Sequence, residues 1–183
     1  MAKREQRRID ESSDWYLKDQ LDFDKRLIRY GYLTFKPFFL GSEGLELGPA
    51  EGQMTQFLVR DFKKLTVVDA SKKLLDQIED RSNLIKVHSL FEKFKPNRRF
   101  NTIILNRVLE HVQSPVQMLL QAKKWLSLRG RIILGVPNAN SIHRLAAVKM
   151  GLLKKPWQLN ERDKILGHRR VYTVSTFSRD IRR

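Results

Sequence analysis

The 183-residue sequence contains no cysteine. This absence excludes a disulfide framework, thiolate zinc sites and a cysteine nucleophile, and it is compatible with a reducing compartment. The sequence also lacks any apolar run near the roughly 18 residues that a membrane-spanning helix needs. Its N-terminal stretch, MAKREQRRIDESSDW, has no apolar core of the kind found in secretory signals. From these features we expect a cytoplasmic protein without a transmembrane segment.

Acidic residues are scarce relative to basic ones. The sequence has 36 Lys and Arg against 20 Asp and Glu, a formal net charge of +16. The excess is concentrated in residues 143–183, with eleven basic and three acidic residues, whereas residues 1–31 have eight and seven. Such an excess is typical of proteins that bind nucleic acid, anionic lipid or an anionic substrate. A solvated basic surface explains it equally well, because no RGG, zinc-finger or heptad pattern accompanies it.

Apolar spacing divides the chain into three segments of one domain. Residues 1–40 form an N-terminal helical segment, whose residues 1–14 are polar and are expected to be a frayed start. Residues 14–39 have apolar positions at helical spacing, which predicts one or two helices ending near Lys36-Pro37. Residues 41–137 alternate between strand and helix patterns. Residues 138–183 are less regular, and we expect one helix over about 142–152 and a last helix beginning near Ser175 or Thr176.

The central segment alternates short apolar strands with helices. The predicted strands are GLELG, LTVVDA, NLIKVHSL, FNTIILN and RGRIILGVPN. The predicted helices are GQMTQFLVRDF, SKKLLDQIEDR and SPVQMLLQAKKWLSL. Alternation of this kind, with strands that are apolar throughout, predicts an α/β fold with a doubly wound, mainly parallel sheet.

Gly48 and Gly52 flank the first strand-to-helix turn, in the run LELGPAEGQMT. Such a turn lies at the carboxyl ends of the strands, where α/β sheets bind ligands, and glycine lets the backbone approach a ligand closely. The run lacks the middle glycine of a dinucleotide site and the lysine of a phosphate-binding loop, and it would place Glu51 beside a pyrophosphate. It therefore favours a cofactor with an amino-acid end, whose cationic group Glu46 could bind.

Asp69 stands at the carboxyl end of the second predicted strand, 23 residues after Glu46. A carboxylate at this position can accept two hydrogen bonds from a ribose diol. The alternative is a local role as a helix cap before Ser71. The spacing between the two acidic residues favours the ribose.

Four segments, in order, resemble the motifs of class I S-adenosylmethionine-dependent methyltransferases. LELGPAEG resembles their first motif, E/D-x-G-x-x-x-G, and LTVVDAS resembles the acidic end of their second strand. FNTIILNRVLEHVQSP is similar to the fourth-strand motif of the branch that includes small-molecule O- and C-methyltransferases, and WLSLRGRIILGVPNANS is similar to the helix and strand that follow. The resemblance covers residues 44–141. It implies a Rossmann-like core over residues 41–137, with S-adenosylmethionine as cofactor.

The resemblance also implies roles for individual residues. The glycines would pass under the methionine part of the cofactor, the acidic residue of the second strand would bind the ribose, and the residues after the third strand would touch the adenine. The residues at the end of the fourth strand would line the methyl-transfer side. With Glu46, the implied cofactor-binding residues are Gly48, Gly52, Asp69, Ala70, Ser89, Leu90, Asn106 and Arg107.

His111, just past the fourth strand, is the candidate catalytic residue. It could act as a base if the acceptor must lose a proton, or it could cap or pack locally. The pair Glu110-His111 is similar to the E-x-x-E-H motif of metal-dependent RNA 3′-end methyltransferases, but Arg107 occupies the first glutamate position, so we expect no metal site. The amine-binding motif [DN]-P-P-[YF] is absent. These features favour O- or C-methylation of a small molecule, with another N-methylation, an RNA acceptor or a non-catalytic cofactor-binding protein as alternatives.

The region 138–173 replaces the short link that usually follows strand five in this family, and we interpret it as a substrate lid or, alternatively, a solvated basic linker. The candidate contacts to an anionic or glycosyl-type acceptor are His143, Arg144, His168, Arg169 and Tyr172. Family members usually have two further strands, whereas five are recognised here. We therefore expect a sheet lacking the last two of seven strands, with an exposed edge through which the chain could form homo-oligomers.

Overall fold

The computed structural model describes residues 6–11, 13 and 22–183. Residues 6–11 are helical, and helix α1 (Asp22–Phe35) leads into a 3-10 turn at Lys36–Phe38. Residues 6–11 are thus helical, which corrects the expectation of a frayed start there, and the predicted helix before the proline ends where expected. Its part over residues 14–21 lies outside the described residues.

The remaining elements alternate between strand and helix as far as residue 135, and helices follow. In chain order they are β1 Glu43–Leu47, α2 Thr55–Leu58, β2 Lys64–Asp69, α3 Lys72–Leu75, β3 Leu84–His88, a 3-10 turn Phe91–Lys93, β4 Phe100–Asn106, α4 Pro115–Trp125, β5 Leu126–Gly135, α5 Ile142–Lys149, α6 Glu161–Ile165 and α7 Val174–Ile181.

All five strands form one parallel sheet in the order β3-β2-β1-β4-β5. The chain runs outward from β1 to β3, then returns to the other side of β1 to form β4. This reversal places a crevice at the carboxyl ends of β1 and β4, the usual ligand position in open α/β sheets. The prediction of a doubly wound, mainly parallel, five-stranded sheet is confirmed.

The sheet is covered by helices on both faces. On one face Leu45 and Leu105 pack with residues of α4 and α7, and on the other Val67 and Ile104 pack with residues of α1, α2 and α3. Burial on both faces explains why the strands are apolar throughout rather than alternating. None of the helices in the described ranges combines the length and the apolar character of a membrane span.

Several elements differ in length from their prediction. Helices α2 and α3 have only four residues each. At α3 the Ser71 side chain caps the helix by accepting a hydrogen bond from the Leu74 N–H. The chain turns soon afterwards, and the Lys86 ammonium bonds the Ile78 carbonyl at 2.9 Å. Such a tertiary bond satisfies a carbonyl that a longer helix would have satisfied internally.

Strand β5 begins three residues earlier than predicted. Leu126 pairs with Phe100 of β4, and the register then shifts before Thr102 pairs with Arg131. Arg129, with a φ of +64°, lies inside this irregularity. A left-handed residue of this kind is a feature of bulges, which helical periodicity does not reveal.

Candidate functional site

A cavity of about 220 Å³ lies at the carboxyl ends of β1, β2 and β4. Seven of the nine predicted cofactor residues and the candidate catalytic histidine line it: Glu46, Gly48, Asp69, Ala70, Leu90, Asn106, Arg107 and His111. These residues come from separate strand ends, and the parallel sheet brings them to one edge. The tertiary structure thus assembles the site in the place that the sequence motifs indicate.

Glu46 lies near the end of β1 with its carboxylate buried. Thr55, at the start of α2, donates a hydrogen bond from Oγ1 to Oε2 at 2.6 Å. Burial raises the pKa of Glu46 to about 7, and the charge of Asp69 raises it further. Among the described residues no cationic side chain pairs with Glu46, so a cationic group entering the cavity would favour its ionised form.

Asp69 ends β2 and accepts a hydrogen bond from the Ser71 N–H at 2.8 Å. Burial raises the pKa of Asp69 to about 6, and hydrogen bonds from the backbone of Ser71, Ala50 and Ala70 oppose the rise. The helix-cap alternative fits Ser71 rather than Asp69, because Ser71 supplies the cap of α3. The Asp69 carboxylate stabilises the turn between β2 and α3, and it lines the cavity.

The turn after β1 depends on both glycines, but for different reasons. Gly48 has a φ of +68°, and a Cβ there would lie 2.9 Å from Val108 Cγ2. Gly52 has a φ of +85° and donates its N–H to the Pro49 carbonyl at 2.9 Å. Gly52 does not line the cavity; a Cβ there would meet Ile78. The turn and the packing against Ile78 are sufficient to require a glycine here, and the place of Gly52 under the cofactor stays a prediction.

Two residues other than glycine also have left-handed backbones at this edge. Ala50 has a φ of +48° and Arg107 has a φ of +60°. Both line the cavity, and the Arg107 N–H donates to the Gly135 carbonyl at 2.7 Å. Backbone strain of this kind costs on the order of 1–3 kcal/mol and is concentrated at functional sites.

Of the residues predicted to contact the adenine, some line the cavity and one does not. Ala70 and Leu90 line the cavity, but Ser89 does not. The Ser89 hydroxyl donates to the Leu90 carbonyl at 2.9 Å, and its N–H donates to the Asp69 carbonyl. Ser89 thus orders the loop that follows β3 instead of facing a ligand.

His111 lines the cavity, as expected of a catalytic candidate. Its pKa is lowered to about 3, first by burial and then by His168, Arg107 and Arg8. The imidazole is therefore neutral near pH 7 but a weak base, because its conjugate acid is unstable. This environment disfavours the predicted role as a general base.

None of the five predicted lid residues lines the cavity. His143 is exposed on α5. Arg144 is buried, pairs with Asp163 at 3.1 Å and donates to the Pro156 carbonyl at 2.6 Å. Tyr172 is buried in the core beside Phe177. Arg144 and Tyr172 hold the segment together, so their predicted contact with substrate is not supported.

Arg169 and its neighbour Arg170 contact the loop that follows β4. The Arg169 N–H donates to the Glu110 carbonyl at 2.7 Å, and its Nε donates to the His111 carbonyl at 2.8 Å. Arg170 donates from Nη1 to the carbonyls of Leu109 and Val112, each at 2.6 Å. The sequence could not show that the partners of these arginines are backbone carbonyls 58–61 positions earlier in the chain.

A family model described as "Methyltransferase domain" matches residues 20–183. Together with the parallel sheet and the cavity at its switch point, this match defines the class of protein. The chain belongs to the methyltransferase domain family, as the sequence motifs predicted.

Solved methyltransferases share the fold. The plantazolicin methyltransferase BpumL, crystallised with S-adenosylhomocysteine, has a TM-score of 0.63 and 18% identity, covering 92% of this chain and 66% of its own. The glycopeptide N-methyltransferase MtfA, complexed with S-adenosylmethionine, has a TM-score of 0.54 and 17% identity, covering 60% and 51%. The CcbJ methyltransferase of Streptomyces caelestis has a TM-score of 0.54 and 19% identity, covering 61% and 52%.

The chain spans about half to two thirds of the length of these solved structures. No curated protein matches the sequence. At such low identities the similarity establishes the fold, so substrate and activity are inferred from the site itself.

Proposed function

We propose that this chain binds S-adenosylmethionine in the cavity and transfers its methyl group to a small-molecule acceptor. The observation that carries the proposal is the convergence of Glu46, Gly48 and Asp69 on one cavity at the sheet's switch point. Two solved relatives of the same fold are described as complexes with S-adenosylmethionine or S-adenosylhomocysteine, which supports the choice of cofactor.

The residues suit the parts of this cofactor. The buried carboxylate of Glu46 is matched to an ammonium group, and that of Asp69 to a ribose diol, because each accepts hydrogen bonds and gains a partner on binding. Gly48 leaves room for the chain of the methionine part. Asn106 ends β4, Arg107 follows it, and both line the cavity, which supports a role on the methyl-transfer side.

Methyl transfer from a sulfonium is an in-line displacement by an already activated donor. The protein's contribution is then alignment of the two reactants and exclusion of water. We propose that His111 contacts the reacting groups from the cavity wall and does not remove a proton, in keeping with its low pKa. A base is dispensable where the acceptor is already deprotonated or is an uncharged nucleophile.

The acceptor atom is proposed as oxygen or carbon, since the amine-binding motif [DN]-P-P-[YF] does not follow β4. An amine acceptor is the second candidate, because MtfA is described as a glycopeptide N-methyltransferase. BpumL is described with plantazolicin analogues, so acceptors of modified-peptide type belong in the substrate panel.

Calorimetric titration with S-adenosylmethionine tests the proposal. We expect one binding site, and we expect Asp69→Asn to weaken binding about ten- to a hundredfold. The reason is that a hydrogen bond to a charged group contributes roughly 1.5–3 kcal/mol, and an amide presents a donor where the ribose needs an acceptor.

Asp76→Asn is the matched control, because Asp76 is an exposed carboxylate on the surface side of α3, where it pairs with Lys72. It should leave cofactor affinity unchanged. Absence of binding by the unaltered chain, or equal affinity in the Asp69 variant, would refute the cofactor assignment. Binding without turnover on the whole panel would instead favour a non-catalytic protein.

A further inference from the structure

Glu110 is a fully buried carboxylate with no partner among the described residues. Its side chain has 0% exposure, and neither carboxylate oxygen has a hydrogen bond of normal geometry. Burial raises the pKa of Glu110 to about 7, and the charges of Arg107 and Arg170 oppose the rise. Arg170 does not pair with it, because its guanidinium donates to the carbonyls of Leu109, Val112 and Gln113. A buried carboxylate without a partner is costly, which points to a missing cation.

His168 presents a second buried atom without a partner. Its side chain is 7% exposed overall, and Nε2 has no hydrogen bond among the described residues. The other ring nitrogen, Nδ1, lies 3.0 Å from Asp163 Oδ1. Because a carboxylate accepts hydrogen bonds, Asp163 occupies Nδ1 and leaves Nε2 as the ring nitrogen open to a ligand. A carboxylate behind an imidazole in this way is the arrangement found behind metal-bound histidines.

His111 completes the cluster. Its ring is nearly perpendicular to that of His168, with 4.7 Å between the ring centroids. One ligand atom from each of Glu110, His111 and His168 lies within 4.8 Å of the others.

We propose that Glu110, His111 and His168 bind one divalent transition-metal ion of the zinc class. Two imidazoles and one carboxylate suit zinc and its neighbours better than magnesium, which prefers oxygen ligands. Zinc–ligand distances of about 2.0–2.2 Å require the three side chains to converge by roughly 1 Å from their present spacing. Three protein ligands leave at least one coordination position open, and His111 places the ion at the wall of the cavity.

The backbone around the site holds the ligands in place without the metal. Helix α6 ends in a reverse turn in which the Gly167 N–H bonds the Lys164 carbonyl at 3.0 Å and the His168 N–H bonds the Asp163 carbonyl at 2.8 Å. Gly167 adopts a φ of +76°, as the glycine of such a helix end does. This turn directs His168 back toward Glu110. The proposal does not depend on methyl transfer or on cofactor binding.

Titration of the metal-free, untagged chain with Zn²⁺ tests the proposal by calorimetry. We expect one equivalent to bind. Glu110→Gln and His168→Ala should each weaken binding at least tenfold, since loss of even an outer partner of a metal ligand commonly costs about 10–100-fold. Co²⁺, used as a second probe, should give the visible absorption of a low-coordinate site in the unaltered chain and lose it in both variants.

The other two histidines provide matched controls. His88→Ala and His143→Ala remove exposed imidazoles outside the cluster and should bind Zn²⁺ as the unaltered chain does. If His168→Ala fails to fold, as judged by circular dichroism, the nearly isosteric Glu110→Gln decides the question. Absence of Zn²⁺ binding, or unchanged affinity in Glu110→Gln, would overturn the proposal. If S-adenosylmethionine still binds in that case, the proposed function is unaffected, because the two proposals are tested by different ligands.

Discussion

At the scale of residues, the burial of two carboxylates is the main energetic cost of this site. Glu46 and Asp69 are buried at neighbouring strand ends, and burial raises the pKa of the first to about 7 and of the second to about 6. The charge of Asp69 disfavours the ionised form of Glu46, because the two groups share one cavity. Pairs of buried carboxylates with displaced pKa values are more typical of ligand sites than of structural positions.

Glu46 should make the fold less stable at high pH. Its pKa is about 7 in the folded chain against an ordinary value of 4.5, so the folded state binds the proton more tightly than the unfolded state. The stabilisation of the fold by this tighter proton binding is fully present below about pH 4.5, and it is lost as the pH rises through about 7. Glu46→Gln keeps an acceptor for Thr55 and removes this loss. We expect it to raise the free energy of unfolding by up to about 3 kcal/mol at about pH 8 and to have little effect at about pH 4.

Urea unfolding at the two pH values measures the effect, and Glu43→Gln is the control. Glu43 begins the same strand but is partly exposed, beside Arg98. Its variant should show no comparable difference between the two pH values. Equal stability of Glu46→Gln and the unaltered chain at high pH would mean that Glu46 is not buried as a charged group.

At the scale of elements, tight turns rather than long helices position the site. Helices α2, α3 and α6 have four or five residues each, and each follows or precedes a turn that directs a side chain of the site. The turn after β1 directs the backbone under the cavity, and the turn after α6 directs His168 to the loop beyond β4. Short helices of this kind depend on caps and tertiary contacts because they have few internal hydrogen bonds.

Gly48→Ala should destabilise the chain more than Gly151→Ala. Both glycines have positive φ, +68° and +73°, so both alanines carry a left-handed cost of about 1–2 kcal/mol. At Gly48 the new Cβ would also lie 2.9 Å from Val108, whereas at Gly151 nothing lies within 4 Å. Chemical denaturation gives the loss of unfolding free energy in each variant, and the difference between the two losses is the steric contribution of the contact with Val108. A difference near zero would show that Val108 moves aside without destabilising the fold.

At the scale of the whole molecule, β5 forms one edge of the sheet in the described part of the chain. Leu128 on this strand is 94% exposed, the highest value among the described large apolar residues. An exposed edge strand with an apolar residue is a site for pairing with another copy. If the chain forms homo-oligomers through this edge, as predicted, we expect Leu128 to lie in the contact between the copies.

Light scattering over a concentration range should detect self-association, and Leu128→Lys should shift the chain toward the monomer. The physical reason is that a lysine on an edge strand opposes strand pairing by charge and hydration. Leu120→Lys is the control, since Leu120 is exposed on α4, away from the edge. A monomer at all concentrations in the unaltered chain would be incompatible with the prediction.

The sequence by itself determined the sheet and most of the cofactor side of the site. Continuous apolar strands specify a sheet buried on both faces, and motif residues such as Gly48, Asp69 and Asn106 lie at strand ends, where parallel pairing brings them together. These features are local, since each depends on a strand and the turn that follows it. Gly52 and Ser89 carry the same motif signal but serve the turns themselves.

Only the tertiary structure decided the roles of the C-terminal segment. Helix α6 was not predicted, although Asn160 before Asp163 and Gly167 after the helix are recognisable cap signals. The sequence expectation of no metal site considered Glu110 and His111 beside Arg107, and the third proposed ligand, His168, lies 57 positions further along the chain. Folding buries that histidine and brings one of its ring nitrogens within 4.8 Å of ligand atoms of Glu110 and His111. Periodicity reports which face of an element is buried, but the partner that a buried polar atom meets is decided only when distant segments pack together.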